Sequence, residues 1–471
     1  MITLLISIAA LIAGYFLYSR FLDRLINIDD SNVTPAIKLR DNVDYQPIPT
    51  WKIFTIQFLN IAGLGPIFGA ILGAMYGPVA YVWIVLGCIF MGAAHDYFSG
   101  VISLRNNGSS VPEMTGKYLG KFFQQFLRVF TLLLLVFVGV AFVNGPAGLL
   151  HSSVGFNLPF WLSLIFVYYL TATLLPVNKL IAKIYPFFGI VLLVMALMVG
   201  GYLIFSPIHI EEISFSHFQN LHHAPTKNIL YPMLFIVISC GAISGFHSTQ
   251  SPLMARCLKK ESHARPAFYG AMIAEGIVTL IWATAAINYF GGTEGLNETF
   301  LAGHNPAWVV NEICQTWFGK FGAIIAIIGI VACPITTGDT AFRSARLTLA
   351  DMLKIPQASI KSRLVVSIPL FLVGFFLSQL DFSTIWKYLG ISNQILASIF
   401  LWTSAMYLVS IKKSHWYMSI PAFIMTTICA TYLLIAPYKN GGFALPSTLS
   451  YCAGIVFGLI SLLMFLKKVN Q

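Results

Sequence analysis

A histidine set among glycines, hydroxyls and an amide inside an apolar stretch is a candidate for chemistry. The run SCGAISGFHSTQSP, residues 239–252, holds His247 with Gly241, Ser244, Gly245, Ser248, Thr249 and Gln250, and it follows the apolar run ILYPMLFIVI. An imidazole two positions after a helix-breaking glycine can hydrogen-bond a carboxylate or relay a proton; the alternative is a histidine satisfied within the core. Three carboxylates lie in other apolar segments: Asp96 beside His95, Glu275 and Asp339. Ionisable groups in such segments are rare and face a cavity or a partner. Glu275 has no basic residue in its segment, and a lone buried carboxylate is costly as an anion. It is a candidate proton carrier, or a neutral acid bonded to a neighbouring helix. Asp96 with His95 can titrate too, although pairing with nearby arginines is the favoured expectation.

Asp339 sits in the oxygen-rich run Thr336, Thr337, Gly338, Asp339, Thr340, with Arg343 and Arg346 four and seven residues on. That spacing places all three charges on one helix face. Asp339 is therefore either paired with Arg343 or a proton- or sodium-coupling carboxylate. The threonine oxygens suit a hard cation such as Na+; alternatively they bond their own helix backbone. Asn393 and Gln394 offer uncharged amides, either to a substrate or between helices.

These side chains must be positioned by membrane helices. The chain has 471 residues, 57% hydrophobic and 10% charged, whereas soluble proteins carry roughly 25% charged residues. Segments of about 20 apolar residues predict about 13 transmembrane helices, near 1–19, 53–75, 79–103, 122–146, 158–176, 181–206, 229–256, 267–290, 318–345, 362–380, 384–410, 416–436 and 447–466. The expected class is an all-α polytopic membrane protein in contact with lipid. The net charge of +11 is a topology signal. With 20–52 cytoplasmic, all lysines and arginines except Lys227, Lys320, Lys387 and Lys439 fall on the cytoplasmic side, Lys179 among them. The N-terminus is expected outside and the C-terminus inside. Basic residues spread over so many loops make no nucleic-acid face. The seven cysteines form no C-x-x-C pair and read as small buried apolar residues.

Two spans look interrupted. The second contains NIAGLGPIFGAILGAMYGP, with Gly63, Gly65, Pro66 and Gly69 near its middle; close helix packing through Gly65 and Gly69 is the other reading. The seventh contains the His247 run. The seventh lies five spans after the second, so they cross in opposite directions. Residues 53–206 and 229–410 can then form two five-helix units of inverted topology, each starting with a broken helix. Such pairs flank substrate sites near the midplane, where freed N–H groups hold anions and freed carbonyls hold cations.

The chain resembles the carbon starvation protein A family of bacterial inner-membrane peptide and pyruvate transporters. The blocks that carry the likeness are TPAIKLRDNVDYQPIP with IAGLGPIFGAILG, WIVLGCIFMGAAHDYFSG and SLRNNGSSVPEM; YPMLFIVISCGAISGFHS with YGAMIAEGIV; TTGDTAFRSARLTLADML; and IWKYLGISNQILASI. The chain departs from the family at Ile56 and Gln57, where many members have adjacent histidines. The resemblance implies a LeuT-type five-plus-five inverted core of the amino acid–polyamine–organocation class. Residues 1–52 would then carry one extra helix and residues 411–471 two. It also implies import of peptides or pyruvate-like carboxylates during starvation. Together these predict a proton-coupled symporter with no cofactor. Its candidate substrate contacts are Gly63, Gly65, Gly241, Ser244, Gly245, His247, Ser248, Asn393 and Gln394, and its candidate coupling groups are Glu275, Asp96 and Asp339. Sodium coupling through Thr336, Thr337 and Thr340 is the alternative. A membrane-embedded enzyme, a channel and a sensor are less favoured. The chain has no G-x-x-x-x-G-K-[ST] and no H-E-x-x-H, and its longest cytoplasmic loop is too short for an output domain.

Overall fold

The apolar runs fold as helices, and glycine and proline set where they break. The structure, a computed structural model, describes residues 1–154, 156–175, 181–206, 211–380 and 382–470, and its regular elements are all helical. The principal helices are α1 (Ile2–Leu25), α2 (Thr50–Ile61), α3 (Gly65–Ala74) and α4 (Val79–Arg105). They continue with α5 (Lys121–Val154), α6 (Leu158–Leu174), α7 (Ile181–Phe205), α8 (Leu230–Val237), α9 (Gly245–Ala255) and α10 (Glu261–Tyr289). The series ends with α11 (Pro306–Leu353), α12 (Ile360–Leu377), α13 (Phe382–Ser410), α14 (Trp416–Ile435) and α15 (Ser447–Val469). Among the described residues nine helices are long and apolar enough to cross a membrane, or ten if α2 and α3 form one span bent by 55°. Large apolar side chains such as Leu17, Leu197, Phe376 and Leu463 stand exposed on the outer helices, as lipid contact requires. This is a multi-pass membrane protein. Lys179 lies outside the described residues, as do the side chains of Lys387 and Lys439.

Both expected interruptions are present. Helix α2 ends at Ile61, and Ala62, Gly63 and Leu64 lead into α3, which opens with a π-helical turn over Gly65–Gly69. Helix α8 ends at Val237, and the chain is non-helical to Ser244 before α9 begins at Gly245. The two breaks lie against each other. A methyl on Gly65 would collide with the Cys240 side chain, and one on Gly69 would stand 3.0 Å from the Val237 carbonyl oxygen. Both readings of Gly65 and Gly69 therefore hold together: the helix is interrupted there, and the glycines permit close approach.

Segments expected on the cytoplasmic side touch one another. Arg105 at the end of α4 pairs with Glu261 at 2.6 Å and donates to the Ile26 and Asn27 carbonyls at 3.1 Å. Asp44, between α1 and α2, lies beneath α11, with Arg346 at 3.2 Å and Arg343 at 3.5 Å, all three buried. Arg343 also donates to the carbonyls of Ala172 at 2.6 Å and Leu175 at 3.0 Å. Arg343 is thus committed to Asp44 and to the end of α6. Of the two readings of Asp339, the pairing with Arg343 is not the one found: among the described residues no ion pair joins them.

Burial alone would push the Asp44 carboxyl up, but the guanidiniums of Arg346, Arg343 and Arg256 outweigh it and hold the group below its ordinary value. A carboxylate so depressed stabilises the fold above its unfolded value of about 4. That contribution is lost as pH falls through the folded value. Asp44→Asn should therefore cost about 3 kcal/mol at neutral pH and flatten the acid limb of stability. Thermal unfolding of the purified protein across pH checks this, and an unchanged midpoint for the variant would refute it.

Candidate functional site

Helix α4 carries a π-helical turn at Cys88–Gly92, and α10 begins with one at Arg265–Gly270. Such turns shift the phase of the side chains that follow and recur at functional sites. Beyond them stand His95 and Asp96 on α4 and Glu275 on α10. Helix α9, starting at the second break, brings His247 between them. A methyl on Gly92 would strike the Ala242 carbonyl oxygen, and one on Gly241 would strike Thr279. Small residues thus let the non-helical segment settle against α4 and α10.

The result is a buried ionisable cluster. His247 Nδ1 lies 2.9 Å from Asp96 Oδ2, and His95 Nδ1 lies 2.9 Å from Asp96 Oδ1. A carboxylate only accepts, so both Nδ1 atoms donate and both Nε2 atoms are left over. His247 Nε2 faces Glu275 Oε2 at 3.6 Å. All four residues are 0% exposed. Neither Nε2 nor either Glu275 oxygen has a hydrogen-bond partner. The imidazole and the carboxyl therefore face each other across a buried gap at ion-pair distance without a hydrogen bond. One expectation is corrected: Asp96 pairs with histidines, His95 among them, and not with arginines. Glu275, with no basic residue in its own helix, faces His247 from a different one.

The second break takes its hydrogen bonds from surrounding helices. Trp83 Nε1 donates to the Ile238 carbonyl at 3.1 Å, and Gln394 Nε2 donates to the Ile243 carbonyl at 3.0 Å. The Phe246 amide donates to Asn393 Oδ1 at 3.1 Å. Ser248 donates to the Gly245 carbonyl at 2.7 Å, whereas the Ser244 hydroxyl has no partner. Gly245 sits against the backbone of α13 at Asn393 and Ala397.

The first break is covered by the TTGDT helix. Thr337 Oγ1 donates to the carbonyls of Leu59 at 3.1 Å and Cys333 at 3.0 Å, and it would stand 3.3 Å from a methyl on Gly63. Thr336 and Thr340 donate to Cys333 and Thr337 of their own helix. These oxygens keep lone pairs that fit a hard cation, though their protons are spent on backbone. Asp339 accepts from Tyr185 of α7, apart from the histidine cluster. Sequence reasoning missed Tyr185, Asn60 and Cys240 as site residues. Gln57, noted only as a family departure, and Asn60 are fully buried on α2 with both amide atoms unpartnered; two uncharged amides before a glycine-proline run were the available signal.

A protein-family model described as carbon starvation protein CstA matches residues 1–153, 129–293 and 293–432. A relative named uncharacterized membrane protein, from Haemophilus influenzae, is 40% identical over 63% of this chain and 93% of its own length. Peptide transporter CstA of Bacillus subtilis is 26% identical over 99% of this chain and 96% of its own. Pyruvate/proton symporter BtsT of Escherichia coli is 26% identical over 59% of this chain and 48% of its own. A solved substrate-bound, outward-open Na+-coupled sialic acid symporter covers 98% of this chain with a TM-score of 0.53 at 13% identity, with 96% of its own chain matched. That likeness concerns fold alone.

If Asp96 and His247 act as one buried unit, their substitutions must couple. A double-mutant cycle of Asp96→Asn and His247→Gln should give an interaction energy of about 1–3 kcal/mol in unfolding free energy. Additivity within about 0.5 kcal/mol would show that the contact carries no energy.

Proposed function

The chain belongs to the carbon starvation protein CstA family, and on that premise we propose that it is a proton-coupled symporter importing peptides or pyruvate-like carboxylates across the bacterial inner membrane as part of a starvation response. Its named relatives are transporters. The observation that carries proton coupling is the His247–Glu275 gap, buried and flanked by Asp96 at a helix break. A proton there neutralises a carboxylate that is costly to expose to hydrocarbon. Its gain or loss changes how tightly α9 is held to α10, which couples protonation to movement of the broken helix. The unpartnered Ser244 hydroxyl at the break is a donor for a substrate carboxylate. The name of the pyruvate/proton relative points the same way.

This reading includes 13 spans in all: a LeuT-type core of ten, in inverted units over 53–206 and 229–410, with one added helix before and two after. The N-terminus lies outside and the C-terminus in the cytoplasm. The clustering of cytoplasmic-side segments and the fold likeness to a sodium symporter support it. A second reading, sodium coupling, is favoured by one observation. Thr337 bridges Leu59, at the end of α2, to α11 beside Gly63, where freed carbonyls and threonine oxygens meet.

In proteoliposomes, labelled pyruvate or dipeptide should accumulate under an imposed proton gradient and not under a sodium gradient alone. Glu275→Gln should lower gradient-driven uptake at least about tenfold, equivalent to about 1.4 kcal/mol. Uptake indifferent to both gradients would refute symport. Full proton-driven uptake by both Glu275→Gln and His247→Ala would refute the site while leaving the transport class standing.

A further inference from the structure

The second break brings a thiol to the histidine cluster. Cys240 Sγ, a ring nitrogen of His247 and a carboxyl oxygen of Glu275 all lie within 4.8 Å of one another. They come from the non-helical segment, α9 and α10. His247 and Glu275 are fully buried, and His247 Nε2 and both Glu275 oxygens have no hydrogen-bond partner. His247 gives its other nitrogen to Asp96 at 2.9 Å. A carboxylate behind an imidazole fixes the tautomer and leaves the Nε2 lone pair free, which is how metal-bound histidines are oriented. The absence of a side chain at Gly65 keeps the space beside Cys240 Sγ clear.

We propose that Cys240, His247 and Glu275 form a binding site for a zinc-class divalent cation, which occupies the place of the coupling proton and arrests transport. A thiolate, an imidazole and a carboxylate are the donor types that Zn2+ takes, with a fourth position open in such three-ligand sites. A hard cation such as Mg2+ prefers oxygen alone and is disfavoured by the sulfur. Binding forms one metal–sulfur, one metal–nitrogen and one metal–oxygen bond. The Cys240 thiol proton, and any proton on Glu275 or on His247 Nε2, leave to solvent, and no electrons are transferred. The thiolate and carboxylate together balance the two positive charges, which suits a buried position. The arrest rests on the coupling role proposed for His247 and Glu275; the binding does not.

Co2+ is the probe. Added to the purified full chain, it should produce a sulfur-to-cobalt charge-transfer band that Zn2+ abolishes. The band should vanish in Cys240→Ser and persist in Cys429→Ser, whose thiol lies on α14. Glu275→Gln, which preserves shape, should weaken Co2+ affinity at least about tenfold, and Asp96→Asn about tenfold or more. A wild-type protein without the band, or a band that survives Cys240→Ser, would overturn the site. If Cys240→Ser does not fold, unchanged Co2+ affinity in Glu275→Gln would overturn it equally. Zn2+ should abolish proton-driven uptake in proteoliposomes, and a band accompanied by zinc-insensitive uptake would overturn the arrest. Proton-driven uptake with no band refutes the metal site and leaves symport intact. A band without gradient-driven uptake refutes symport and leaves the metal site.

Discussion

Interrupting a helix inside a hydrocarbon layer leaves backbone groups that only protein can satisfy, and much of this structure follows from that demand. The gap between α8 and α9 frees the carbonyls of Ile238 and Ile243 and the amide of Phe246. Trp83, Gln394 and Asn393, from two other helices, supply the partners. The gap between α2 and α3 draws Thr337 to the Leu59 carbonyl. Each break is held by helices remote in sequence, so the breaks knit the core together. The glycines that face the Val237 and Ala242 carbonyls let backbone meet backbone without a side chain between, and Gly65 makes room for the Cys240 side chain.

The same demand brings charge into the core. A helix that restarts within the membrane offers polar surface, and here that surface presents His247 to Asp96 on one side and Glu275 on the other. Buried charges persist only when paired and hydrogen-bonded. Asp96 meets that condition with two imidazoles. Glu275 meets it less fully, with unpartnered oxygens and one ion-pair contact. A second buried charge set, Asp44 with Arg343 and Arg346, is paired by charge. It ties the segment before α2 to the end of α11 and serves as a clamp.

How far the site could be read in advance differs residue by residue. His247, Asp96 and Glu275 stood out because each is an ionisable group in an apolar run. Their mutual pairing did not, since it joins residues on three different helices, Asp96 and His247 about 150 positions apart. Local spacing pointed Asp339 to Arg343 and Asp96 to nearby arginines. Neither pairing formed, because partners far away in sequence intervene: Asp44 engages Arg343, Glu261 engages Arg105, and His247 reaches Asp96. Asn393 and Gln394 were legible as amides between helices, but the identity of their partner, the second break, was not. Cys240 passed as a small core residue because nothing in its neighbours reveals the carboxylate of α10.

Taken alone, the sequence determined the helical class, the membrane setting, the placing of the two interruptions and the residue types at the cluster. Each of these depends on short-range properties: apolar run length, glycine and proline backbone freedom, and the cost of ionisable groups in hydrocarbon. Tertiary structure alone decided which charges pair, which amides serve the backbone and which atoms remain free. Pairing depends on the approach of helices far apart in the chain, and competing partners at similar cost can be ranked only once their distances exist.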